Sequence, residues 1–441
     1  MLNVPRWMSG PLIPALLAGA LGIVGIGDKS LSLDQSTSAL LARLPTLDLI
    51  VYMWHNELHG SPYYLLLNAW SFLGTSEVVL RLLSVLIGVV AVIATYYVGR
   101  RFGVGLLAAL LLACAPLFVQ YEQDAHEYTL LMAWASISTL AYLRYLERPV
   151  RLRALVYIIC GSTMIYVHPV GAFVIGAHGL WSLIRAQPRQ RLRAVALFVP
   201  IGIAWLPMVR FMLVHRDKIS WIPPLSGATV SQAAIELCGG ALATGAIAVL
   251  LALRARRDVV SLWLVVPVMG TLAVSALVQP MLQSRYLLVV LPAMAIIIAR
   301  NRRVAVAVLA ALFVAGVLNW YASPSPEDWR AAVAFIEEDT APGDGVVFSP
   351  NYARLPVDYY GPLAVEPLYA PIPWKGMDLP GIVPPAGVPP AYVNPRIWLV
   401  HIHGPALPDN VQAALAPYSQ VLVRDFGPDG PTISLLVRPT P

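Results

Sequence analysis

The sequence predicts a polytopic α-helical membrane protein with about eleven transmembrane helices and a small C-terminal extracytoplasmic α/β domain. Three observations carry this reading. Of 441 residues, 58% are hydrophobic and only 12% charged, with a mean hydropathy of +0.68; an ordinary soluble domain carries roughly a quarter charged residues and could not hide so much apolar surface. The arginines cluster in short loops between apolar runs. From Ser323 onward the composition changes to proline-marked turns and short β-rich runs.

A helix crossing the bilayer needs about 20 mostly apolar residues. Runs of that kind lie near 10 to 27, 78 to 99, 104 to 119, 129 to 146, 153 to 167, 170 to 185, 194 to 213, 228 to 252, 259 to 278, 284 to 299 and 304 to 321. The first follows a single arginine, as a signal peptide does, but the loop after it has no clear small-residue cleavage pattern, so it is read as a retained helix. Arginine clusters at 100–101, 144–153, 185–193, 254–257 and 300–303 then fall on alternate loops, which marks those loops and the N-terminus as cytoplasmic. The first loop, 28 to 77, lies outside, as do 120 to 128, His168-Pro169, 214 to 227, 279 to 284 and everything after about 322. This divides the chain into a spanning domain, 1–322, with surface helices in its first outer loop, and an extracytoplasmic domain, 323–441, of a multi-pass plasma-membrane protein.

In that outer domain a helix is expected from Glu327 to about Asp339, its early acidic residues suiting a helix N-terminus. "GVVFS", "RIWLVHIHG", "QVLVRDFG" and "ISLLVRP" read as strands, and the stretch from Tyr369 to Pro395, rich in proline and glycine, as a surface loop.

The net charge of +6 does not imply nucleic acid, because loop topology already explains the arginines. Cys114, Cys160 and Cys238 are odd in number, lie inside apolar runs and have no disulfide or metal spacing. His401 and His403 share a strand face but lack a visible third ligand.

The outer loops hold the carboxylates, histidines and aromatics, so a site belongs there. In the first loop, "STSALLARL" and "LDLIVYMW" alternate polar and apolar residues at helical spacing, as helices lying on a membrane do. A roof of such helices would present Asp34 to a substrate with a lipid tail.

The run from Ser30 to Tyr128 resembles the lipid-linked-sugar-dependent membrane glycosyltransferases of the GT-C class, particularly glycosyltransferase family 39. Leu31-Ser32-Leu33-Asp34-Gln35-Ser36 is similar to that family's "lWlDEa.s" opening, and His59-Gly60-Ser61-Pro62-Tyr63-Tyr64-Leu65-Leu66-Leu67 with Trp70 to its "HPPLYYLLLxxW". Ser76-Glu77 with Leu80-Arg81-Leu82-Leu83-Ser84 and Gly88 resembles "sExxLRLPSxLxG", and the segment from Gln120 to Leu130 resembles "YYSQEARMYAL". "YVHPVG" at 166 to 171, "QSRYLLVVLP" at 283 to 292 and "EDWRAAVAFI" follow in the family's order. Three positions depart from the pattern: Gln35 stands for its second acid, Asp124 for a glutamate and His126 for an arginine.

The resemblance implies inverting transfer of a sugar from a polyprenyl phosphate, with one carboxylate as general base and positive groups stabilising the departing phosphate. Asp34 is the candidate base, or alternatively a helix cap. Glu57, His59, Tyr63, Asp124, His126 and His168 are candidate substrate contacts. For several of these a structural role is equally open: Asp124 and His126 as a pair bracing a turn, His59 as a support for the turn at Pro62, and Tyr63, Tyr64 and Trp70 as an interfacial aromatic belt.

Arg285, Arg81, Arg216 and Lys218 are candidates for the donor phosphate. Arg285 could instead snorkel, and Arg81, inside its span, needs a partner such as Glu77 or Asp48. A divalent cofactor, Mg or Mn, would need Asp34, Glu57 and Asp124 brought together. The expected partners are a polyprenyl-phosphate sugar donor, carrying mannose or a pentose, a lipid, glycan or protein acceptor, and membrane lipids. Two other readings remain, a transporter or flippase for a lipid-linked glycan and a catalytically silent binding subunit.

Overall fold

The computed structural model describes residues 10–185, 188–254, 256–361, 394–402 and 409–439, with Leu363, Glu366–Pro367, Tyr392 and Leu407. The expected loop at 369 to 395 and His403 lie outside the described residues, apart from Tyr392, Asn394 and Pro395. The chain forms two compact units. A helical unit comprises 1–24, 58–66 and 81–322, and an α/β unit comprises 25–57, 67–80 and 323–441.

In the helical unit every expected span falls on helix, but most of the helices are shorter than a bilayer requires or are broken. Among the described residues, Glu77–Arg100, Val195–Val214, Val259–Leu277 and Arg303–Ala322 are each long and apolar enough to cross a membrane. Two bent pairs raise the number to six: Gly105–Ala113 with Pro116–Glu122, bent by 65°, and Gly227–Cys238 with Ala241–Arg254, bent by 86°. Apolar runs alone therefore overstate the unbroken spans, because an apolar run does not reveal where its backbone turns.

Each bend has a local cause. Proline cannot donate to the preceding turn, which ends the first helix before Pro116. Gly239 and Gly240 hold φ of +80° and +132°, open to glycine and strained for other residues. A side chain at Gly239 would also meet Pro116 Cγ at 2.6 Å.

The α/β unit is built on a five-stranded sheet: β1 (Gly345–Ser349), β2 (Glu366–Pro367), β3 (Arg396–His401), β4 (Ser419–Asp425) and β5 (Thr432–Val437), ordered β2-β1-β3-β5-β4. β1 runs parallel to β2 and β3, while β5 is antiparallel to β3 and β4. All four sequence-predicted strands are present. The predicted helix runs Trp329–Asp339, and Asp328 caps it by accepting from the Ala331 N–H (3.2 Å). Trp329, Ile336, Trp398 and Ile433 fill one face of the sheet, and Val347, Ile397, Leu399 and Leu415 the other. Burial on both faces explains the unbroken apolar pattern of β1.

Segments 25–57 and 67–80 belong with the C-terminal residues, so the division is not a simple cut at residue 322. The reason is a set of long-range hydrogen bonds. Ser30 N–H donates to Ser325 Oγ (2.7 Å), Leu31 N–H to the Tyr360 hydroxyl (2.7 Å), and Tyr359 OH to the Thr75 carbonyl (2.9 Å). Arg330 forms an ion pair with Glu77. Glu77 thus serves as the counter-charge of Arg330.

Candidate functional site

In the helical unit the turn between helices Pro116–Glu122 and Tyr128–Glu147 is fixed by Gln123. Its amide donates to the carbonyls of Gly22 (3.2 Å) and Val24 (2.6 Å) and accepts from Trp320 Nε1–H (2.9 Å). The turn then tightens, with His126 N–H donating to the Asp124 carbonyl (2.8 Å). This carries His126 and Glu127 inward as a buried pair, His126 Nε2 lying 2.7 Å from Glu127 Oε2.

Around the pair lies a continuous set of rings. His126 packs against Tyr64 (6.0 Å) and Tyr128 (5.2 Å), Tyr128 against His168 (6.2 Å), and His168 against Tyr286 (4.7 Å) and His59 (6.4 Å). Gly60, at φ +71°, permits the approach of its segment, because a Cβ there would meet Tyr64 at 3.0 Å and Glu127 Oε2 at 3.3 Å.

The electrostatics follow from burial and charge. Burial alone would raise the Glu127 carboxyl, but the charge and hydrogen bond of His126, with His59 and His168 behind it, outweigh burial and hold it at about 2. His168 is pushed down to about 3, chiefly by burial, with the positive charges of His59, His126 and Arg285 reinforcing it against the pull of Glu127. At neutral pH His168 is therefore an uncharged imidazole. The direct partner of Glu127 is His126.

Arg285 belongs to the same cluster, since its charge acts on His168. It opens the 3₁₀ turn Ser284–Val290, and its guanidinium lies over Trp221 (5.2 Å) and Tyr286 (5.9 Å). Its neighbour Ser284 donates to Glu236 Oε2 (2.6 Å). Arg216 is exposed, and the Lys218 ammonium caps Phe211 (5.2 Å) at the edge of an apolar cluster with Leu58. Arg81 and Tyr63 are buried in the helix packing, the Tyr63 hydroxyl within 2.8 Å of Ser84 Oγ.

In the α/β unit, Asp34 stands in the first turn of helix Leu33–Ala42. The cap of that helix is Ser32, whose Oγ accepts from Gln35 N–H (3.3 Å). The capping alternative for Asp34 is thereby corrected, because the helix starts two residues before Gln35 and its cap position is already filled. Leu33 N–H and Trp329 Nε1–H both donate to Glu327 Oε2 (2.8 Å each), which anchors the entry to the helix. Asp34 is half-buried near Tyr352, whose phenol is pushed up first by burial and then by the Asp34 charge. Glu57 terminates helix Thr46–Asn56 and, after burial, pushes up the phenol of Tyr52.

Thus His59, His126, His168 and Arg285 come together in the helical unit, while Asp34 and Glu57 lie in the α/β unit. Among the described residues no three His, Cys, Asp or Glu side chains are disposed to hold a metal ion. Glu127 and Tyr286 were missed in the sequence. The available signal was that three of the eight histidines flank apolar runs, where a carboxylate such as Glu127 must find a cationic partner.

The fold is that of the GT-C class of membrane proteins. Residues 62–215, about a third of the chain, match the dolichyl-phosphate-mannose-protein mannosyltransferase family. Among solved structures, ArnT from Cupriavidus metallidurans bound to undecaprenyl phosphate is similar at 14% identity and a TM-score of 0.61, with 98% of each chain covered. The apo state of that ArnT is similar at 14% identity and a TM-score of 0.58, covering 96% of this chain and 97% of its own. No curated protein matches the chain. The resemblance read from the loop motifs is therefore met by a family match and by a shared fold along nearly the whole chain.

Proposed function

We propose that this protein transfers a sugar, mannose or a pentose, from a polyprenyl phosphate to a cell-envelope acceptor at the outer face of the plasma membrane, with inversion. Asp34 accepts the proton of the acceptor hydroxyl as that oxygen bonds to the anomeric carbon. The bond from that carbon to the phosphate oxygen breaks, and polyprenyl phosphate leaves with the electron pair. Arg285 holds the leaving phosphate, where a cation aimed at developing negative charge lowers the barrier. His59 and His168 position the donor, and the His126–Glu127 pair holds the wall behind them.

The reading is supported by the undecaprenyl phosphate found in the structure of similar fold and by the mannosyltransferase family match. The observation that carries the role of Asp34 is that Ser32 already fills the cap of its helix. The helix therefore does not require Asp34 as its cap, and a carboxylate is the residue type that a general base needs. With the N-terminus cytoplasmic and the α/β unit outside, Asp34 faces the envelope.

The test is transfer activity of purified protein in lipid, with a panel of polyprenyl-phosphate sugars and envelope lipid acceptors. Wild type transfers a sugar, and folded Asp34→Asn loses about 10²–10⁴-fold, the scale of a lost general base. Equal activity would remove Asp34 from the chemistry. A wild type inert with every donor would favour the silent binding subunit.

A further inference from the structure

The α/β unit carries an open groove of about 490 Å³ lined by Arg43, Thr75, Glu77, Arg330, Tyr359 and Tyr360 among others, a size ordinary for a small-molecule site. Its two arginines are in different electrostatic states. Arg330 is neutralised by the ion pair with Glu77 and also donates to the Gly27 carbonyl (3.1 Å); Glu77 in turn accepts from the Tyr360 hydroxyl. Arg43 has no carboxylate partner among the described residues. It donates to Thr75 Oγ1 (3.3 Å), and its guanidinium lies 5.1 Å over the Tyr359 ring. Tyr359 is itself fixed through its hydroxyl to the Thr75 carbonyl (2.9 Å).

A guanidinium held over a ring face keeps its planar fork of edge donors open at the side, where it can bind phosphate oxygens bidentately. One wall of the groove is thus a positioned cation whose negative charge is not supplied by the protein.

The elements next to Arg43 and Thr75 show what brings that charge. Helix Thr46–Asn56 exposes Leu47, Ile50, Val51 and Trp54, spaced so that they form one apolar face. Ser71–Leu73, just before Thr75, exposes Phe72 by 82% and Leu73 by 51%. Apolar side chains on a helix of this kind enter the boundary between lipid headgroups and acyl chains. The groove therefore opens beside two segments that seat in the lipid interface.

We infer that the Arg43–Tyr359 groove binds the phosphate headgroup of an anionic membrane lipid. The inference rests on this unit alone and does not depend on sugar transfer.

The test is isothermal titration calorimetry of the full chain in detergent with dihexanoyl phosphatidate, dihexanoyl phosphatidylcholine and inorganic phosphate. Phosphatidate binds, and both of the other probes bind at least about tenfold more weakly. Arg43→Gln weakens phosphatidate about tenfold or more, the scale of one charge-assisted pair, while Arg100→Gln, at the C-terminal end of helix Glu77–Arg100, leaves it unchanged. Tyr359→Leu weakens it several-fold by freeing the guanidinium. No phosphatidate binding, or binding unaffected by Arg43→Gln, would overturn the site. Equal loss in Arg100→Gln would reduce it to general charge attraction. Inorganic phosphate binding as tightly as phosphatidate would assign the groove to free phosphate and overturn the lipid headgroup.

Discussion

Replacing Glu127 with glutamine is the sharpest structural test of the cluster. The side chain keeps its volume and one acceptor oxygen but loses the charge that faces His126 at 2.7 Å. A carboxyl held at about 2 instead of 4.5 favours the ionised cluster by about 3 kcal/mol, since each tenfold change in proton affinity corresponds to ~1.4 kcal/mol. The sign is that of a depressed carboxyl: this stabilisation is fully present above pH 4.5 and is lost as pH falls toward 2.

At pH 7, then, Glu127→Gln should destabilise the purified protein by about 3 kcal/mol, at the lower end of the range for breaking a buried pair. Denaturation in detergent, followed by tryptophan fluorescence, measures the loss. A cycle with His126→Asn separates the pair from general damage. The single changes should each be costly and the double change should cost much less than their sum, with a coupling of about 2–3 kcal/mol. Additivity within about 0.5 kcal/mol would show that the two side chains do not act as a unit and would refute the account of the cluster.

His168, held at about 3, makes folding resist protonation. Stability should fall as pH drops from 6.5 toward 3, and His168→Asn should flatten that slope in pH-dependent melting. Gly88→Ala would place a Cβ 2.7 Å from Glu122 Cγ in buried packing and should cost about 1–3 kcal/mol in the same denaturation assay. Arg285→Ala, at a partly exposed position, should leave the fold intact while raising the donor KM; unchanged donor dependence would remove Arg285 from phosphate binding.

The parts of the fold that depend on local pattern were readable in advance. Strands such as "GVVFS" and the helix ending at Asp339 come from apolar alternation and capping, both visible within a few residues. The helix breaks at Pro116 and Gly239-Gly240 were not, because an apolar run has the same composition whether it passes straight through or turns by 86°. The union of 25–57 with the C-terminal residues was also hidden. It depends on Ser30, Leu31 and Leu33 reaching Ser325, Tyr360 and Glu327 across about 300 positions, as hydrogen bonds that leave no periodic trace.

At the candidate site, His126, His168 and Arg285 were named from their place at the ends of apolar runs. Glu127, which pairs with His126, was not named beside Asp124. The two carboxylates stand three residues apart, and only the geometry of the turn reveals that Glu127 faces His126. Asp34 posed the same problem in reverse. Whether it or Ser32 caps the helix depends on a start at Leu33, and boundaries are uncertain by one or two residues in any pattern-based reading.

The placement of charge in the helical unit bears on the choice between an enzyme and a carrier. A carrier moving a charged glycan through the bilayer needs ionisable groups along its path, at several depths. Here His59, Asp124, His126, Glu127, His168 and Arg285 all sit in turns or at helix ends, where one layer of polar chemistry can be built without charging the helices themselves. Arg81, Glu122 and His178 are buried ionisable residues within the helices of this unit. Glu122 is packed where Gly22 and Gly88 leave room: a Cβ at Gly22 would lie 3.2 Å from Glu122 Oε2. Such close packing against two glycines holds a side chain still, which suits a wall and not a moving relay. Polar groups gathered in turns and at helix ends, backed by tightly packed helices, suit the positioning of one phosphate and one sugar.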